Sequence, residues 1–501
     1  MSFGPPPSEF TESARVADSA RRQRRMKALA GLAAFLAIVL CTGGWMLWAG
    51  ADEEKEQPKR PTVARQAPDG IRDTVERTPR SVQGRQDVEY LEEDLKKDFG
   101  QETVRAPGAW ATDKAFVKAV GPRLKGFKLG NSGKEWSIRL GGPICDTTRH
   151  VTVDGRTAVL YQERKRQSKG EGQSRRKGSS RKIDPYVCGR LAFVDLNTGK
   201  KLWQVKLPDA KDAFAPNTNV TMTRGTVTVA WGRGSVAYDM HRGERLWKNT
   251  GAKNCQDVGF AGGRALLALV MCGDPSAPTY RVESVDPRSG KPTWTYQVAR
   301  GVKGVYLVSS RPAVLAVAAG DIVPTKLIVL DGKGEHRSTI DLPEKRYFDD
   351  CSQFIDNVDK VETCDSIVVG RDQLFMATKD TLDGNWIVSF DLATGRTVRK
   401  FDPRDTGVIY PVRMSGNKLL AFRPGRLWAD TAAVVSLDPR TGKETPFLIF
   451  SVPAIPQLKA PERTDIIVES GRVYLAPREL SPRLSGEWKG IAYGALGVEP
   501  S

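Results

Sequence analysis

A recurring stretch of about 45 residues restricts the fold of this 501-residue chain more than any other feature. "LAFVDLNTGKKLWQVKL", beginning at Leu191, returns in altered form at 235, 281, 327, 386 and 432. The turn glycines Gly199, Gly243, Gly290, Gly334, Gly395 and Gly442 lie 44, 47, 44, 61 and 47 residues apart. Each copy follows a second pattern, two β-rich runs around a glycine turn, such as "VTMTRGTVTVAW" from Val220 and "DIIVESGRVYLAP" from Asp465. Two hairpins per unit make four strands, the content of one propeller blade.

Six complete units are legible. A seventh, from Asp465, supplies a hairpin and a third strand, "GIAYGAL" at 490, before the chain stops. Its absent fourth strand resembles "GKEWSIRL" at 133–140, so the two ends of the chain are expected to share a blade and leave no open sheet edge. The expected fold is all-β: a seven-bladed propeller of four-stranded antiparallel blades, or an eight-bladed one if residues 100–130 supply strands.

Within a unit, Asp195 and Thr198 flank a tight turn where short polar side chains satisfy backbone N–H groups, and Gly199 supplies a positive φ. Trp203 lies on the outer strand, where its area can pack on the neighbouring blade. These are structural roles. Gly243 with Trp247 and Gly290 with Trp294 keep the pattern; Gly395 and Gly442 keep only the turn, and Ser338, Arg399 and Pro446 stand where Trp would be. In the first copy Trp136 comes one residue early.

This Asp-x-x-Thr-Gly-x-x-x-Trp form resembles the PQQ-like β-propeller repeat, over roughly residues 127–501. The repeat is found in quinoprotein dehydrogenases and in non-enzymatic relatives such as the outer-membrane assembly lipoprotein BamB. Enzymes of that resemblance use a vicinal Cys-Cys disulfide, a carboxylate base and calcium beside the cofactor, usually within eight blades. No Cys-Cys pair occurs here. The resemblance therefore implies the BamB-like branch, with no catalytic residue, no cofactor and no metal. Asp349, Asp350, Asp356 and Asp359 are grouped in sequence but lack the spacing of a calcium loop and read as solvated. A divergent PQQ-dependent oxidoreductase is the alternative, and a sensory ectodomain a third reading.

Ahead of the repeats, residues 28–49 form an uncharged apolar run long enough to span a bilayer as a helix. "RRQRRMK" precedes it and "DEEKE" follows, so residues 1–27 are expected in the cytoplasm and the remainder outside, a single-pass signal anchor in the plasma membrane. A cleaved signal peptide ending at "AGA", 49–51, would export the same domain. Residues 50–108 read as a flexible stalk. Within it 87–99 are expected to form a short amphipathic helix, and 113–120, just beyond it, a further helical turn or two. The propeller occupies 109–501, with insertions 163–188 and 343–365.

Six cysteines beyond the anchor suit an oxidising compartment. Cys255 and Cys272 flank a hairpin and Cys351 and Cys364 bracket an insertion, which leaves Cys145 for Cys188. The net charge of +18 includes the basic tract 163–182, read as a surface loop, so nucleic acid is not expected as a partner. The expected function is non-catalytic binding of an envelope protein or an anionic polymer, with the two insertions as the recognition loops.

Overall fold

The computed structural model describes residues 67–501, apart from 131–134, 164–186, 252–253, 275, 321–322, 344–345, 349–350, 352–360, 380–383, 405–406, 426–430, 454 and 484–488. The described residues form eight four-stranded antiparallel sheets, plus a two-stranded pair of Val104–Arg105 with Glu479–Leu480. Numbered along the chain, blade 1 is 108–139, blade 2 is 144–206, blade 3 is 219–249, blade 4 is 255–297, blade 5 is 302–341, blade 6 is 368–401, blade 7 is 410–451, and blade 8 joins 464–500 to 84–92.

Burial within each blade follows from its place in the ring. The second and third strands are sandwiched between neighbouring blades and are buried on both faces: every residue of Thr226–Ala230 and of Ser235–Asp239 is buried, Thr226, Thr228, Ser235 and Asp239 among them. Fourth strands face solvent and alternate, as in Lys200–Lys206, where Trp203 and Val205 turn inward and the lysines outward. The cores are correspondingly eight clusters, one at each seam. The one between blades 8 and 1, with Tyr90, Phe116, Phe127 and Tyr474, closes the ring. A bulge precedes the Trp position in blades 2 to 4 and its counterpart in blades 5 and 6, interrupting the exposed edge.

Four expectations are corrected. The count is eight, because residues 108–139 build a whole blade whose turn lacks the repeat's Asp. Its second strand, Ala115–Val120, is buried throughout and is not a helical turn. Residues 133–140 therefore do not complete the last blade: Glu135–Arg139 is the fourth strand of blade 1. The strand that completes blade 8 is Gly84–Glu92, paired antiparallel with Ala492–Pro500, within the stretch expected to be helical. Val88 and Tyr90 point inward with the period of a strand, and only Leu95–Phe99 is a helix.

The expected stalk is likewise part of the ring from residue 67 onward. Turns between strands 1 and 2, and between 3 and 4, lie on one face, here the turn face; the remaining linkers lie on the other, the linker face. Residues 67–77 run across the turn face as a strap. Arg72 N–H donates to Val151 O at 2.7 Å on blade 2, and Arg72 Nε reaches Glu469 at 2.9 Å on blade 8. Glu76, its side chain 2% exposed, accepts from Arg413 at 2.6 Å and from the backbone of Ser470 and Gly471 at 3.0 and 2.7 Å. Among the described residues no helix is long and apolar enough to cross a membrane; residues 28–49 lie outside them.

Candidate functional site: a channel closed at one end

The repeat residues lie on the turn face and at the seams. Asp195 Oδ1 accepts from the backbone of Asn197 and Thr198 at 2.8 and 3.1 Å, while Gly199 takes φ +69°. The Trp of each blade lies on the turn of the next. Trp203 donates to Met240 O at 2.9 Å and covers Gly243, and Trp247 donates to Pro287 O at 2.8 Å and covers Gly290. A Cβ on Gly243 would stand 2.9 Å from the Trp203 ring, so no side chain fits without displacing the indole. Trp294 covers Gly334 and Trp136 covers Gly199 in the same way.

Where Trp is lost, part of the link persists. Ser338 donates to Leu392 O at 2.9 Å, the carbonyl equivalent to those of Met240 and Pro287, and Gly395 meets the Thr339 backbone instead of a ring. Arg399 lies against Gly442 and donates to Arg440 O at 2.9 Å. These residues hold blade to blade.

Three disulfides join Cys145 to Cys188, Cys255 to Cys272 and Cys351 to Cys364. The first holds the base of the basic insertion to the first strand of blade 2, and the second joins paired strands of blade 4. The third closes the other insertion. Residues 164–186, and Asp349, Asp350, Asp356 and Asp359, lie outside the described residues.

Inside the ring the inner strands surround a cavity of about 770 Å³. Ile71 and Arg72 of the strap floor it, and Phe348, Gln457, Arg463 and Glu479 stand at its linker-face mouth. The chain itself enters this channel. Residues 361–365, the end of the second insertion, lie along blades 3 to 5: Leu307 N–H donates to Val361 O at 2.8 Å, and Val361 is buried in the seam between blades 4 and 5. One side of the channel is thus filled by a plug, and the cavity occupies the other.

Charge fixes the plug. Glu362, its side chain 6% exposed, meets His150 Nε2 at 3.0 Å and Arg149 at 3.5 Å, and accepts from Thr221 at 2.8 Å. Burial acts to raise its pKa, but His150 and Arg149, with the hydrogen bonds, outweigh it and hold the carboxyl at about 2. Asp365 joins Arg149 at 2.9 Å to Arg478 at 2.9 Å, and Arg478 continues to Asp465 at 2.7 Å. Behind Asp465 lies Lys118, fully buried, donating to Ala106 O at 2.8 Å. Burial lowers its pKa to about 8, with Asp465 opposing and Arg478 assisting.

Sequence reasoning missed this constellation, because its members come from blades 1, 2, 3 and 8 and from the plug. The one local signal was Lys118 inside the apolar run "AFVKAV". Among the described residues no group of three or more His, Cys, Asp or Glu is placed to hold a metal ion.

A ring of four-stranded blades locked by Asp-Gly turns under the Trp of the preceding blade defines a PQQ-like β-propeller. The chain belongs to the family described as "Outer membrane protein assembly factor BamB", which matches residues 188–444. No curated protein matches it in sequence. Among solved structures, BamB from Moraxella catarrhalis is 12% identical over 82% of this chain and 98% of its own, with a TM-score of 0.41. A europium-containing methanol dehydrogenase is 11% identical over 79% and 93%, with a TM-score of 0.40. The dihydro-heme d1 dehydrogenase NirN is 14% identical over 70% and 67%, with a TM-score of 0.41. At these values none of the three bears on what the chain does.

Proposed function

We propose that this protein is a non-catalytic binding scaffold of the cell envelope, anchored by residues 28–49 and exported beyond them, which engages a partner protein at the linker-face mouth. The observation that carries the reading is the asymmetry of the channel. The strap closes one end, the plug fills one side, and the remaining opening lies on the face from which both insertions emerge. Family membership supports a binding role, since the family is described as an assembly factor.

A protein suits this mouth better than an anionic polymer. Arg149 and Arg478 are each engaged by Asp365, and Arg478 also by Asp465, so the described wall of the cavity offers balanced charge rather than a cationic field. Eight blades remove blade number as an argument against quinoprotein chemistry.

Photo-crosslinkers placed at Arg463 and Glu479 in intact cells are expected to capture one discrete protein, and one at Lys333 on the turn face is not. Absence of a mouth-specific adduct overturns the reading. So does tight uptake of PQQ and calcium by the purified chain with dye-linked alcohol oxidation.

A further inference from the structure

The face closed by the strap is also a basic face. The aspartates that open its strand 3–4 turns spend their carboxylates on their own backbone, while Glu244 and Glu335 in those turns are exposed. Asp239 accepts from the His241 and Arg242 amides at 3.1 and 3.0 Å, Asp391 from Ala393 and Thr394 at 3.1 and 2.8 Å, and Asp438 from Arg440 and Thr441 at 2.9 and 3.1 Å. The cations of the same turns, Arg242, Arg288, Lys333, Arg396, Arg440 and Lys443, are exposed on five successive blades. The strand 1–2 turns add exposed Arg224, Arg311, Arg371 and Lys418.

Some of this charge is paired: Arg242 with Glu244 at 3.4 Å, Arg288 with Asp239 at 3.5 Å, and Arg224 with Asp69 at 3.7 Å. Among the described residues none of Lys333, Arg396, Lys418 and Lys443 makes a salt bridge. On the linker face the described residues mix Asp209, Asp274 and Asp402 with Lys211, Arg233 and Arg300, and the basic insertion also emerges there.

Two observations select the occupant. Because the strap covers the channel here, the charge is spread over turn tips rather than gathered in a groove, which suits an extended anionic surface. The chain also enters the structure on this face, and residues 50–66 can span at most about 60 Å from the apolar run at 28–49. Val75, 63% exposed on the strap, adds an apolar side chain among the cations.

We propose that the turn face docks on anionic phospholipid of the membrane that holds residues 28–49, so that the channel mouth points away from the bilayer. This orientation rests on the anchor reading above. Lipid headgroups would meet the turn cations and Val75, and the attraction would fall with added salt.

The test uses the full chain, Cys41→Ala, in nanodiscs of phosphatidylcholine with or without phosphatidylglycerol. A fluorophore is placed at Lys333→Cys or Arg463→Cys, and nitroxide lipid serves as quencher. Strong quenching at 333 that needs phosphatidylglycerol and is relieved by salt is expected, with several-fold less at 463. Adding Arg288→Glu, Arg396→Glu and Arg440→Glu should abolish it.

Equal quenching at both positions, or quenching indifferent to phosphatidylglycerol, overturns the proposal. If the chain is not retained by neutral nanodiscs the anchor reading falls separately. Sedimentation with phosphatidylglycerol vesicles then decides the docking face: charge-reversal-sensitive binding supports it, and its absence, or tighter binding to soluble polyphosphate, overturns it.

Discussion

Glu362 and His150, 212 residues apart in sequence, meet at 3.0 Å inside the channel and tie the plug to blade 2. The folded state binds the Glu362 proton more weakly than the unfolded chain does. Its stabilisation is therefore complete above the ordinary pKa of 4.5 and is lost as pH falls from there toward about 2. Thermal unfolding followed across that window should show a slope that Glu362→Gln flattens. At neutral pH the same substitution should cost about 2 kcal/mol.

Lys118 gives a dependence of the same sign in a higher pH window, but from burial of an amine rather than from an ion pair. Between about pH 8 and the ordinary 10.5 the unfolded chain retains a proton that the folded chain has released. Stability contributed at this position therefore rises with pH across that interval, by an order of a few kcal/mol. Urea unfolding of the wild type and of Lys118→Met should converge or cross as pH rises from 8 to 10.5. Parallel curves would show that the buried amine is not the cause.

The seam between blades 2 and 3 depends on Trp203, which packs on Phe193 with ring centroids 5.2 Å apart and bonds to Met240 O. Trp203→Ala should cost about 3 kcal/mol in denaturant unfolding. Ser338→Ala at the equivalent position should cost only about 1 kcal/mol, since it removes a hydrogen bond and little apolar area.

The strap should be most sensitive at Glu76. Its carboxylate is buried and serves Arg413 and two backbone amides, so Glu76→Ala leaves three donors without their acceptor. A loss of about 3 kcal/mol and faster proteolysis within residues 67–83 are expected.

The repeat was legible because each turn is solved locally. An Asp that accepts two nearby N–H groups, a glycine at positive φ and a large ring four residues on leave a pattern visible within a dozen residues. Blade 1 was not legible: between Phe127 and Trp136 no Asp precedes the turn glycines, so its strands passed for a linker and for the end of another blade. Residues 87–99 fitted a helix because Val88, Leu91, Leu95 and Phe99 are three and four apart. Pairing with Ala492–Pro500, some 400 residues away, selects the strand instead, with Val88 and Tyr90 as its inward face.

By itself the sequence determined the propeller class, the repeat turns and cysteine pairs close enough in sequence to meet, because each rests on contacts among residues near one another in the chain. Only the tertiary structure decided the number of blades, the strand that closes the ring, the strap over the turn face and the plug in the channel. The closing strand, the strap and the plug depend on groups far apart in the chain finding complementary charge or an unpaired strand edge. Glu362 becomes a buried anion beside His150 only after the ring has formed.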